Sequence, residues 1–227
     1  MPFEELPGRL AEVRQRIAQA QARGGQQATV DIVAVTKSHG PEAAEAAWRA
    51  GLRLVGENRV QEALSKMDAV SEPLAWHLIG HLQRNKVKHL DRFALFHALD
   101  SDRLAEAIHT QARESNVRRP VLVQINVSGE ESKGGFALND LPAVAARLRE
   151  LDGLEVRGAM TMAPFDADER TLRSTFSGCR SALAVLREAG HQASELSMGM
   201  SNDYEIAVEE GATMVRLGTI LFGEREP

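Results

Sequence analysis

The sequence predicts one α/β domain, a (β/α)8 TIM barrel with an extra N-terminal helix. Three observations predict it. Strand-like and helix-like segments alternate along the chain with no run of hairpin turns, the pattern of a parallel sheet. The first strand-like run, Val30 to Val35, is apolar and β-branched enough to be buried on both faces. Finally, eight strand candidates with a helix in each gap exceed the usual open doubly wound sheet, and 227 residues come close to the ~250 typical of such a barrel.

Taken in order, Leu6, Leu10, Val13, Ile17 and Ala20 recur every three or four residues, so Phe3 to Arg23 reads as an amphipathic helix ended by Gly24 and Gly25. After the Val30 to Val35 strand, Pro41 to Ala50 is helical and Arg53 to Val55 is a short strand. Val60 to Val70 is a helix, Ala75 to Ile79 a strand and Gln83 to Leu90 a helix. Phe93 to Ala98 is a strand, and Ser101 to Ser115 is a helix capped by Ser101. Val121 to Val127 is a strong strand, Asp140 to Leu151 a helix and Val156 to Ala159 the sixth strand. Glu169 to Ala189 is a long helix stopped by Gly190, and Glu195 to Ser197 is the seventh strand. Tyr204 to Glu210 is a helix stopped by Gly211, and Thr213 to Leu217 is the last strand. No linker, repeat or low-complexity segment interrupts this order, so residues 1–227 are read as a single domain.

Composition narrows the function classes. Hydrophobic residues make up 43% and charged residues 26% of the chain, close to the globular average and unlike a disordered or fibrous chain. Lys and Arg total 27 against 32 Asp and Glu, a net charge of −5, which leaves no basic excess for a phosphate backbone and excludes nucleic acid as the main partner. One cysteine, Cys179, cannot form an internal disulfide, and no apolar run reaches the ~18 residues of a membrane span. Met1 to Gly8 lacks the charged head and apolar stretch of a secretory signal, so a cytoplasmic, soluble protein is expected.

A barrel places its chemistry at the carboxyl ends of the strands. Lys37, in Val33-Ala34-Val35-Thr36-Lys37, is the only lysine that directly follows a buried strand. Of the 27 basic residues only five are lysines, leaving 22 arginines. A retained strand-end amine therefore suggests work that guanidinium cannot do, such as attack on a carbonyl. On this residue alone, a lysine reaching solvent is the simpler reading. The loop from Ser197 to Asp203 leaves the seventh strand and opens a helix, with Ser201 offering a hydroxyl. Gly218 and Thr219 end the eighth strand and offer main-chain N–H groups, and these two neighbouring loops commonly form a barrel's phosphate site. Either segment alone would read as an ordinary cap and turn.

Arg216 alternates with Met214 and can point inward, where it would need a partner, or pair with an acidic core residue. His77 and His81 are four apart, but across a strand and a turn they do not share a face, so a zinc site is disfavoured. His77 is expected to line the barrel mouth and His81 to begin the next helix. Glu57, Asn58, Gln124 and Asn126 are further polar groups near strand ends, whose simplest role is to bond loop backbone. Cys179, mid-helix among apolar neighbours, reads as a buried structural thiol.

Together these segments resemble one family. Ala34-Val35-Thr36-Lys37, Gly56-Glu57-Asn58-Arg59-Val60-Gln61-Glu62, Trp76-His77-Leu78-Ile79-Gly80-His81-Leu82-Gln83, Ser132-Lys133-Gly134-Gly135-Phe136, Leu196 to Ser201, and Val215-Arg216-Leu217-Gly218-Thr219 with Phe222-Gly223 occur in the order found in the pyridoxal phosphate homeostasis proteins. That family's fold is similar to the N-terminal barrel of alanine racemase. The match runs from about Val30 to Arg225. The resemblance implies that Lys37 holds pyridoxal 5′-phosphate (PLP) as an internal aldimine, that Ser201, Gly218 and Thr219 hold the phosphate, and that Arg216 lies near the pyridine nitrogen. It also places Asn58 and His77 in the cofactor's surroundings. The chain departs from the family's common pattern at Arg59, where an aromatic is frequent, and at Ser38-His39-Gly40, where a proline-containing turn is usual.

Two functions compete. The first is a cofactor carrier that holds PLP as a Schiff base on Lys37, buffers it and supplies it to apo PLP-dependent enzymes, with a monomer expected and no nucleic acid or membrane partner. The alternative is a low-activity PLP-dependent amino-acid racemase-like enzyme. An arginine beside the ring nitrogen weakens the ring as an electron sink. Racemases of the related fold also take a tyrosine base from a second domain, whereas this chain stops at Pro227 with Tyr204 as its one tyrosine. The carrier is therefore favoured, with no catalytic residue assigned.

Overall fold

The computed structural model describes residues 3–127, 129 and 134–223. The motif residues Ser132 and Lys133, Arg225 at the end of the matched segment, and the remaining termini of the predicted 1–227 domain lie outside the described residues. Nine strands are described: β1 (Asp31–Val35), β2 (Leu54–Glu57), β3 (Ala75–Leu78), β4 (Leu95–Leu99), β5 (Arg119–Asn126), β6 (Phe136–Ala137), β7 (Leu154–Met160), β8 (Glu195–Ser197) and β9 (Met214–Leu217). Eight of them close a ring in the order β1, β2, β3, β4, β5, β7, β8, β9 and back to β1, while β6 lies on β5 beside the ring. Every pairing is parallel. This is the predicted barrel, with the predicted seventh strand over the expected residues.

The helices are α1 (Leu6–Gly24), α2 (Pro41–Arg49), α3 (Val60–Ala69), α4 (Asp102–Glu114), α5 (Leu141–Glu150), α6 (Glu169–Glu188), α7 (Tyr204–Glu209) and α8 (Thr219–Phe222). All five residues of the predicted apolar stripe of α1 are buried, each full burial of a Leu, Val or Ile contributing about 1.5–3 kcal/mol. The stripe packs on α7 and α8. Around it Arg16 pairs with Glu205 and Arg23 with Glu209, half-exposed pairs that orient more than they stabilise. No helix of the described residues is long and apolar enough to cross a membrane.

Several predicted elements change. Gln83 to Leu90 is a 3₁₀ helix over Arg84–Arg92, in which Val87 and Leu90, three residues apart, are the buried positions, the spacing of a three-residue turn. Ser101 stands at the start of α4 but does not cap it, because its hydroxyl bonds the neighbouring Asp100 carboxylate instead. The cap the sequence did not reveal is Asp168, which accepts the Thr171 N–H at the start of α6. The strand predicted at Arg53 to Val55 runs instead over Leu54–Glu57, which places Glu57 in the sheet. β6 and α8, at two and four residues, are too short for periodicity to reveal.

Register decides what faces the barrel axis, since residues paired across parallel strands point to one side. Val33 pairs with Arg216, Val35 with Gly56, Gly56 with His77, and Ser197 with both Met160 and Met214. These side chains form the interior. Gly56 is required there: a Cβ at this position would lie 2.9 Å from Val33 Cγ1. The residues between, including Thr36 and Glu57, face outward beneath the helices.

Candidate functional site

Lys37 follows β1 at the carboxyl rim and is half-buried. Its amine has no hydrogen-bond or ion-pair partner among the described residues, unlike most cationic groups near it. The turn it occupies is unusual, because Ser38 holds φ at 66°, a left-handed conformation uncommon for a residue with a Cβ. Asn58, half-buried, ends the neighbouring β2, and its backbone is pressed by Gly80 so closely that a Cβ on Gly80 would lie 2.4 Å from Asn58 O.

The predicted anion turn is assembled from two loops. Ser201 Oγ accepts the Ile220 N–H at 3.4 Å, which brings the loop after β8 to the start of α8. Gly218 lies against Val35, 3.5 Å separating its Cβ direction from Val35 O, so this turn sits two residues from Lys37. The loop is shaped by Gly199, whose φ of 92° and contact with Tyr204 Cα leave no room for a side chain. The Met200 N–H is tied back to Asp203 Oδ1 at 2.6 Å.

Inside the barrel, Arg216 points inward as one of the two sequence readings had it, but its partners are neutral oxygens rather than an acidic residue. Nη1 donates to Ser197 O and to Ser197 Oγ, each at 2.7 Å, and Nη2 donates to Thr161 O at 2.9 Å. Burial lowers its pKa to about 10, which leaves it charged at neutral pH. His97 Nδ1 lies 2.9 Å from Ser197 Oγ, and His97 Nε2 lies 3.0 Å from His77 Nδ1. Arg216 can only donate. Ser197 Oγ accepts from it, and the two bonds of His97, to Ser197 Oγ and to His77 Nδ1, run together in a direction set by the His97 tautomer. Burial holds both imidazoles neutral, lowering His77 to about 4, with positive charge elsewhere adding to the effect: Arg157 for His77, and Arg216 for His97.

His77 is thus buried near the carboxyl end of β3, where it joins an interior chain. His81 does not begin a helix and does not join His77: it is exposed ahead of the 3₁₀ helix, with Nδ1 3.1 Å from Asp100 Oδ2. Among the described residues no cluster of three His, Cys, Asp or Glu could hold a metal. Cys179 is buried in α6 and its thiol is pushed up to about 12 by desolvation, the inert thiol expected. Tyr204 is buried with its hydroxyl unbonded.

Sequence reasoning missed His97, although a histidine alternating with Leu95 inside an apolar run marks an inward position. It also missed an outer cluster. Lys66 Nζ on α3 donates to Thr36 O at 2.8 Å, Glu57 Oε1 at 2.7 Å and Glu62 Oε1 at 2.9 Å. Glu57 Oε1 also accepts from Thr36 Oγ1 at 2.5 Å, and Glu62 Oε1 from the Ser38 N–H at 2.6 Å. Glu57 therefore bonds a hydroxyl and an ammonium, not loop backbone, and its burial raises its pKa.

A closed ring of eight parallel strands defines the class, and the chain belongs to the alanine racemase N-terminal domain family, whose profile matches residues 9–226. Within it the chain falls among the pyridoxal phosphate homeostasis proteins. It is 41% identical over 222 residues to that of Aquifex aeolicus, covering 96% of this chain and 97% of the relative. It is 40% identical over 220 residues to that of Pseudomonas aeruginosa, covering 96% and 94%. Among solved structures, PipY of Synechococcus elongatus with PLP bound is similar at a TM-score of 0.84 and 34% identity, over 96% of this chain and 100% of that one.

Proposed function

We propose that this protein binds PLP reversibly at the barrel rim and acts as a carrier that buffers the cofactor and supplies it to apo PLP-dependent enzymes. The observation that carries the reading is the half-buried amine of Lys37, without a partner among the described residues and set two residues from the point where Gly218 packs on β1. The donor set fits the group. Arg216 spends three of the five guanidinium N–H bonds on Ser197 and Thr161, leaving donors for a ring nitrogen. Ser201 and the N–H groups of Gly218 and Thr219 suit a phosphate.

The cofactor supplies an aldehyde that condenses with a primary amine and releases water. Lys37 offers that amine, and the Ser201 and Gly218-Thr219 turn holds the anionic end. Arg216 can only donate to the ring nitrogen, so it withholds the proton that would make the ring a strong electron sink. His77 and Asn58 complete the surroundings. Tyr204 cannot stand in for a second base, because it lies buried behind the phosphate loop. These features favour a carrier over a racemase-like enzyme. We further place the protein in the cytoplasm as a monomer.

The test is an absorbance scan of the purified protein with PLP, before and after borohydride, followed by mapping of the reduced adduct. The wild type should show a visible band and a trapped modification at Lys37, and Lys37→Ala should lose both. An unchanged spectrum in Lys37→Ala would overturn the reading.

A further inference from the structure

The lysine proposed to hold the cofactor is gripped from behind. Both peptide groups that flank it are bonded by two side chains one helical turn apart on α3: Lys66 Nζ takes the Thr36 carbonyl at 2.8 Å, and Glu62 Oε1 takes the Ser38 N–H at 2.6 Å. The two clamp residues bond each other at 2.9 Å, and Lys66 is anchored further by Glu57 at 2.7 Å. Lys66 and Glu57 are buried, whereas Glu62 is part-exposed. The spacing of four residues is what lets one helix face reach both bonds.

Stability alone does not account for this arrangement. A buried ion pair gains little over apolar residues of the same size, and its best-attested use is to fix one geometry among several. Here the geometry fixed is that of a turn closed by a single backbone bond, His39 N–H to Thr36 O at 3.1 Å, with Ser38 at a φ of 66°, where a Cβ is disfavoured. Its N–H, pointing out of the sheet, finds its acceptor in Glu62. Condensation of an amine with an aldehyde depends on the approach of the reacting atoms, and a small displacement of the backbone carries the Lys37 amine with it.

We propose that Glu62 and Lys66 are positioning residues that clamp the turn on both sides of Lys37 and so set the efficiency of its covalent capture of PLP. This rests on the reading of Lys37 given above. It predicts a separation between capture and simple binding. Pyridoxine 5′-phosphate carries the same ring and phosphate but an alcohol in place of the aldehyde, so it reports the anion turn and Arg216 without the amine.

The experiment measures affinity for both compounds, together with borohydride trapping and thermal unfolding, in wild type and in Lys37→Ala, Glu62→Ala, Glu62→Gln and Lys66→Met. Glu62→Ala should weaken PLP capture by about ten-fold while its affinity for pyridoxine 5′-phosphate stays within about two-fold of wild type. Glu62→Gln keeps an oxygen acceptor for the Ser38 N–H and should restore most of the loss. Lys66→Met should act in the same direction, and should it fail to fold, the Glu62 pair still decides. Equal weakening of both compounds in Glu62→Ala, or no weakening of either, overturns the clamp, as does failure of Glu62→Gln to rescue. The two readings separate cleanly: a band that survives Lys37→Ala overturns attachment at Lys37, whereas a band lost there and unmoved in Glu62→Ala overturns the clamp alone.

Discussion

Two polar clusters lie on opposite faces of the barrel sheet, one inside the ring and one beneath α3, and they are built on opposite principles. The inner chain, His77, His97, Ser197 and Arg216, contains one cation and no carboxylate, satisfied by two carbonyls and a hydroxyl. The outer cluster sets Lys66 against two carboxylates, Glu57 and Glu62. The difference follows from what each must face. Neutral acceptors hold Arg216 through three of its N–H groups and leave the others open to a ligand at the mouth. On the outside nothing has to be offered to a ligand, so opposite charges can be spent on holding backbone.

The largest effect that tests this contrast comes from Arg216→Met. Removing the guanidinium leaves Thr161 O without its donor and takes one bond each from Ser197 Oγ and from Ser197 O, which keeps the Thr161 N–H at 3.2 Å. Each lost bond to a buried acceptor costs ~1–3 kcal/mol, so a loss of about 3 kcal/mol or more is expected in urea unfolding. A loss below ~1 kcal/mol would mean that Arg216 does not organise the interior.

Next in size is the acid response of the inner chain. His77 and His97 have folded pKa values below their unfolded ones, His77 at about 4. Between the unfolded value near 6.5 and the folded value, the unfolded chain binds more protons than the folded one. Stability therefore falls as pH is lowered through that window, by at most ~1.4 kcal/mol per pH unit for each imidazole. His97→Gln should flatten the slope of stability against pH between about 6.5 and 4. A slope that is unchanged in this variant would show that the interior imidazoles are not held neutral.

The fold was legible because its signals are repeated: each buried strand is a separate apolar run, and an error at one end of β2 does not disturb the order. At the rim, position after a strand is what singled out Lys37, Ser201, Gly218 and Thr219 in the sequence, and the structure places each of them beyond the end of a strand. What could not be read is what depends on two segments at once. Lys66 looks like any helix lysine until α3 is laid over Thr36 and Glu57. Ser101 has the residue type of a cap but the neighbour, Asp100, that takes its hydroxyl away. His77 was visible as a strand-end histidine, yet its burial depended on His97 in the next strand. Local pattern reveals which face a side chain takes, and the partner waiting there is a tertiary fact.

The smallest expected effect sharpens the outer half of the comparison. At Ser38 the left-handed backbone, φ 66°, costs a residue with a Cβ about 1–2 kcal/mol, whereas glycine adopts it freely. Glycine also gains freedom in the unfolded chain, which returns about 0.5–1 kcal/mol of that benefit. Ser38→Gly should therefore change stability only slightly, to the favourable side by about 0.5 kcal/mol, and because the N–H offered to Glu62 is a backbone group, PLP capture should be unaltered. Ser38→Pro removes that same N–H and fixes φ on the opposite side, so it should lose capture as Glu62→Ala does. If Ser38→Gly weakened capture as much as Ser38→Pro, the side chain rather than the clamped peptide would be holding the turn, and the division of labour between the two clusters would have to be redrawn.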